Sequence, residues 1–292
     1  MIELLSSPLM QRALIVAVLV GISAPIVGTY LVQRGMALMG DGIGHVSLTG
    51  VALGWLAAGS LGLSPNDILA IPGAILASLV GAILIEVVRS TGRTGGDVAL
   101  AMLFYGGIAG GVLLIRIAGG TTTNLNSYLF GSLAVVSSAD VRYTIALAIV
   151  IITIGIGLRE PLFALSHDEE FARASGLPVR MLNILIAVVA ALTVSVSMRV
   201  VGVLLVSAIM IVPVAIAQLL SSSFARTMHI AMAIGVVACV AGLVITYYVP
   251  ASPGATIVVM LITVYAIVAF IRAAMAAGAR HRTHRRQVEV VS

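Results

Sequence analysis

Apolar runs of about twenty residues, broken by short polar stretches, repeat along almost the whole chain. A helix needs roughly 20 mostly apolar residues to cross a bilayer core. That ruler marks spans near 9–31, 40–62, 67–88, 97–117, 141–158, 181–198, 201–220, 228–248 and 254–271. Only a few residues separate the two spans on either side of Arg199, so the pattern predicts eight to nine crossings. Two connections are longer than a turn. Residues 118–140 begin polar and become apolar, which predicts an outside loop with a short or re-entrant helix. Residues 159–180 hold the densest charge before the tail. There Ser166 followed by Glu169 fits a capping box, and Asp168, Glu169 and Glu170 suit the positive end of a helix. Gly176 and Pro178 give a stop signal, so a short cytoplasmic helix is predicted at about 167–175.

Composition agrees with the pattern. Of 292 residues 60% are hydrophobic, 9% charged and 5% aromatic, with a mean hydropathy of +1.17. Soluble domains average about 25% charged residues. So little charge cannot cover a water-soluble protein of this size, which excludes a soluble enzyme and also a disordered or fibrous chain. The fold class is all-α, a polytopic membrane helical bundle. Glu3 and the absence of a cation in residues 1–8, followed by a long apolar run, read as a first span rather than a signal peptide.

All 16 cations are arginines, so a phosphate-binding loop of the GxxxxGK[ST] type is impossible, and any ATP must be hydrolysed by another chain. Cys239 stands alone in an apolar run, which excludes a disulfide framework and a cysteine metal cluster. The net charge of +5 fits cytoplasmic loops and anionic headgroups rather than nucleic acid. With the N-terminus outside, only Arg12, Arg116, Arg142 and Arg199 fall away from the cytoplasmic side, which puts the C-terminus in the cytoplasm. The 30 glycines suit close helix packing in lipid, and Pro25 and Pro213 are expected to kink their spans. One membrane domain over 1–272 and a basic tail over 273–292 is the simplest division.

Nearly all ionisable residues sit at span ends, but Asp41 and His45 fall early in the second span. Four helical residues make slightly more than one turn, so both side chains leave the same face. A carboxylate and an imidazole at that spacing can chelate one divalent cation, and such ligands suit zinc, manganese or ferrous iron better than copper(I). The competing account has Asp41 as an interfacial helix-start residue and His45 hydrogen-bonded inside the bundle. Spacing alone leaves both open. A symmetric dimer would double the two ligands. Met36 and Met39 read as soft ligands or, with more weight, as adaptable packing. Glu86 and Arg89 read as an interfacial pair. His229 reads as interfacial, and His281 and His284 as part of a lipid-anchoring tail. Neither H-E-x-x-H nor GxSxG occurs, so no enzymatic site assembles.

The stretch QRGMALMGDGIGHVSLTGVALGW resembles a signature of the permease subunits of zinc- and manganese-type ABC importers. YLFGS at 128–132, DEEFARASGLP at 168–178, VGVLLVSAIMIVPVAIA at 201–217 and PASPGATIVV at 250–259 are similar to further family segments in the same order. The likeness covers about 2–272. It departs from the family pattern where Gly44 precedes His45 and Thr49 precedes Gly50.

The resemblance implies a bacterial plasma-membrane permease, dimeric with a second copy and paired with cytoplasmic ATPases and an extracytoplasmic metal-binding protein. It makes Asp41 and His45 the metal site in the pathway. It also makes residues 168–176 the helix that couples to the ATPase, through Asp168, Glu169, Glu170, Ala172 and Gly176. The cargo implied first is zinc, then manganese or iron, with no permanently bound cofactor. A siderophore or cobalamin permease is the rival within the class, and a secondary carrier or scaffold the rival outside it.

Overall fold

A computed structural model describes residues 7–63, 66–91, 96–119, 122–131, 136–198 and 201–291. Its long helices are α1 (Pro8–Gln33), α2 (Met39–Ser60), α3 (Ala70–Thr91), α4 (Gly96–Ile117), α6 (Ser138–Gly157), α9 (Val179–Ser197), α10 (Val203–Leu220), α11 (Phe224–Tyr248) and α12 (Pro253–Val291). Short helices α5 (Thr122–Phe130), α7 (Arg159–His167) and α8 (Glu169–Ala174) sit between them, and the described residues contain no strand. Each predicted span therefore has its helix. Seven are long and apolar enough to cross a membrane, while Val179–Ser195 and Leu205–Leu220 are shorter apolar helices.

Backbone hydrogen bonding drives this architecture, because a chain in hydrocarbon must satisfy its N–H and C=O groups within its own helices. Small residues then decide which helices touch. Helix α1 runs through the centre of the bundle, with Ala13, Ala17, Gly21, Ala24 and Gly28 all buried. Pro25 has no N–H for the Gly21 carbonyl, and that carbonyl lies against Gly235 of α11. Gly50 of α2 and Gly73 of α3 face each other so closely that neither position has room for a side chain.

Contacts at the helix ends fix which ends lie together. The end of α1 meets the start of α11 through Tyr30 and Phe224, whose ring centroids are 5.5 Å apart. Arg34 and Arg89, at the ends of α1 and α3, both reach Glu169 of α8. At the other end, Trp55 of α2 packs edge-on to Tyr128 of α5 at 5.5 Å, and Ser252, just before α12, donates to the Phe130 carbonyl at 2.8 Å. Arg34, Arg89 and Arg173 thus share one side of the bundle, as the arginine distribution predicted.

The region around α8 differs in detail from its sequence reading. Ser166 is not a cap, because it lies inside α7 and donates to the Leu162 carbonyl at 2.7 Å. Asp168 caps instead, its Oδ1 accepting from the Phe171 N–H at 2.9 Å. The helix is correspondingly short. It ends with Gly176 at φ +79°, where the Leu177 N–H bonds the Ala172 carbonyl and the Gly176 N–H bonds the Arg173 carbonyl. The predicted roles of Glu3 and Arg199, and of the His281 and His284 side chains, lie outside the described residues.

Candidate metal site

Asp41 stands in the first turn of α2, where the positive helix end favours a carboxylate. His45 follows one turn later, and α2 runs unbroken through Gly44, His45 and Thr49 to Ser60. The departures from the family pattern at Gly44 and Thr49 therefore leave the helix intact. His45 is 2% exposed, and its Nδ1 has no hydrogen-bond partner among the described residues.

Two neighbouring helices shape the pair. From α10, Ser207 donates its hydroxyl to Asp41 Oδ1 at 2.5 Å. Gly44 of α2 helps this approach, because a methyl group there would sit a tight 3.2 Å from a Val203 methyl, whereas one at Gly40 would make ordinary contact with the Met210 sulfur at 3.5 Å. From α4, Phe104 turns its ring edge-on to His45, with centroids 4.5 Å apart and planes at 82°. Gly107 of α4 lies against the His45 backbone, where an added Cβ would come within 2.7 Å. Ser207 escaped the sequence reading because a lone serine in an apolar run carries no spacing signal.

The arrangement offers one carboxylate, one buried imidazole whose Nδ1 is unpartnered among the described residues, and one hydroxyl oxygen. Among the described residues no group of three or more His, Cys, Asp and Glu could hold a metal. The described residues therefore gather a partial set of donors here, not a closed cage. Met39 is buried in the core and Met36 packs against it, which assigns both to packing. His229 is exposed.

The segment read as coupling to an ATPase divides into unlike parts. Asp168 caps α8, Glu170 is exposed, Ala172 is fully buried and Gly176 takes the left-handed turn. Glu169 points back into the bundle, to Arg34 and Arg89. Glu86 pairs with Arg89 as its spacing predicts, and it is 3% exposed.

The sequence profile of the ABC 3 transport family matches residues 6–272. The chain belongs to that family. The manganese transport system membrane protein MntC of Halalkalibacterium halodurans is 32% identical over 268 residues, covering 92% of this chain and 89% of its own. The chelated iron transport system membrane protein YfeD of Yersinia pestis is 31% identical over 255 residues, covering 87% and 82%. A solved structure, PsaBC from Streptococcus pneumoniae in complex with Fab, superposes with a TM-score of 0.80 at 32% identity, covering 91% of this chain and 93% of that one. The permease is thus a multi-pass membrane subunit of a metal ABC importer, as the motif resemblance implied.

Proposed function

We propose that the permease imports Mn²⁺, carrying it past Asp41 and His45. The observation that carries this reading is the buried, unpartnered Nδ1 of His45 one helical turn from Asp41. Two oxygen donors, the Asp41 carboxylate and the Ser207 hydroxyl, beside one imidazole suit a hard cation better than the sulfur-rich sets that favour zinc or copper(I). The relative named for manganese points the same way, so manganese takes the place of zinc as the leading cargo. Ferrous iron is the second reading, favoured by the relative named for chelated iron.

In this reading the chain works in the bacterial plasma membrane as a domain over 1–272 with its basic tail in the cytoplasm, crossing eight to nine times. A second copy completes the pathway. An extracytoplasmic metal-binding protein delivers the ion, and no cofactor is held permanently. A separate cytoplasmic ATPase docks on α8 at the exposed Glu170 and Gly176, with the buried Ala172 holding the helix in the core. The incomplete ligand set then serves transport, because a closed shell would trap the ion.

Metal content of metal-starved cells tests this, measured by mass spectrometry with the gene deleted, restored, or restored as Asp41→Ala or His45→Ala. Manganese is expected to fall on deletion and to stay low in both variants at normal expression. A fall in iron alone would make iron the cargo. Unchanged metals with impaired uptake of an iron chelate or cobalamin would return both residues to structural roles.

A further inference from the structure

One carboxylate at the cytoplasmic end joins three arginines from three elements. Glu169 Oε2 lies 3.2 Å from Nη2 of Arg34, the residue that ends α1, and 3.7 Å from Nη2 of Arg89 on α3. Its Oε1 accepts from Arg173, one turn along α8, at 3.1 Å. Arg89 in turn holds the buried Glu86 at 3.3 Å. The Arg34 side chain is only 5% exposed, against 35% for Glu169. Burial, and then the nearby Arg89, pull the Arg34 guanidinium below its ordinary range, while the Glu169 charge opposes both. A buried cation of this kind depends on its counter-ion.

Arg34 is also the nearest charged residue before the metal pair. Gly35, at φ +67°, turns the chain directly after it, and α2 begins at Met39, two residues before Asp41. Beside the cluster a cavity of about 640 Å³ is lined by Glu86, Arg89, Glu169, Arg173, Arg180 and Asn183 among others. Ala172 anchors α8 in the hydrophobic core, and the ion pairs of Glu169 tie the same helix to the ends of α1 and α3.

We infer that Glu169 is a positioning residue of transport. It faces the permease rather than the ATPase, and through Arg34 it passes movement of α8 to the start of α2 and to Asp41. This rests on the reading of α8 as the ATPase-docking segment. Glu170, exposed on the same helix, is left for the partner.

The test uses the whole importer, permease with its ATPase, reconstituted in vesicles with Mn²⁺ as the probe. Glu169→Gln is expected to keep the ATPase bound and hydrolysing while Mn²⁺ moved per ATP falls by roughly tenfold. The charge-exchanged double variant, Arg34→Glu with Glu169→Arg, is expected to recover part of that loss. Unchanged import in Glu169→Gln would overturn the inference, and so would loss of the bound ATPase. If Glu169→Gln does not fold, the double variant decides alone: folded and transporting supports the clamp, folded and inactive removes it. Glu170→Arg, at an exposed position of α8, tests the docking reading separately, because that reading fails if the ATPase still binds as in wild type.

Discussion

The Met210 carbonyl of α10 rests directly on Gly28 of α1, with no space between them for a side-chain carbon. This contact sets how deeply α10 sits in the bundle, and Ser207, one turn earlier on α10, reaches Asp41 from there. Gly28→Ala is expected to push α10 outward and to cost about 1–3 kcal/mol, the usual range for overpacking. Thermal unfolding of the detergent-purified permease checks this, with Gly59→Ala as the comparison because an added carbon there meets nothing. Equal melting temperatures for the two variants would show that α10 accommodates the methyl group.

Ser207 fixes the Asp41 carboxylate and supplies a second oxygen, so its removal should be felt as weaker metal handling with the fold intact. Ser207→Ala is expected to lower Mn²⁺ uptake by roughly tenfold, as loss of a ligand-orienting hydrogen bond commonly does. Ser207→Cys replaces the oxygen by sulfur and is expected to shift competition toward Zn²⁺. Uptake of labelled manganese with and without added zinc reads both effects. Wild-type uptake in Ser207→Ala would confine the site to Asp41 and His45.

The helices were legible in the sequence because hydropathy and bilayer thickness leave a long-range signal, and Asp41 with His45 stood out as candidates because polar residues inside a span are rare. What was missed is tertiary. Ser207 meets Asp41 across 166 positions and Glu169 meets Arg34 across 135, and no local period encodes either. The pairing of Glu86 with Arg89 was legible from their spacing, but the burial of Glu86 was not. Ser166 looked like a cap because the sequence pattern fits, but α7 continues through it and Asp168 takes the role.

Tyr30 near the end of α1 donates its hydroxyl to the Gly155 carbonyl of α6 at 2.5 Å, joining two helices 125 positions apart. Tyr30 is 3% exposed, so water does not replace the bond when it is lost. Tyr30→Phe is expected to cost about 1 kcal/mol, with the ring still packed on Phe224. A melting temperature lower than wild type by a few degrees, with Mn²⁺ uptake retained, would fit. An unchanged melting temperature would mean that Gly155 finds another donor.

Gly176 ends α8 at φ +79°, where no neighbour lies within 4 Å of an added Cβ. Any cost of substitution is therefore conformational rather than steric crowding. A left-handed residue with a Cβ costs about 1–2 kcal/mol, less for asparagine, which visits this region more readily. Gly176→Ala is thus expected to loosen the end of α8, and Gly176→Asn to do so less. Binding of the ATPase to each variant, measured by co-purification, orders them as wild type, then Gly176→Asn, then Gly176→Ala. The reverse order would mean that the open space around Gly176 is filled by the partner, so that side-chain size rather than backbone conformation governs docking there.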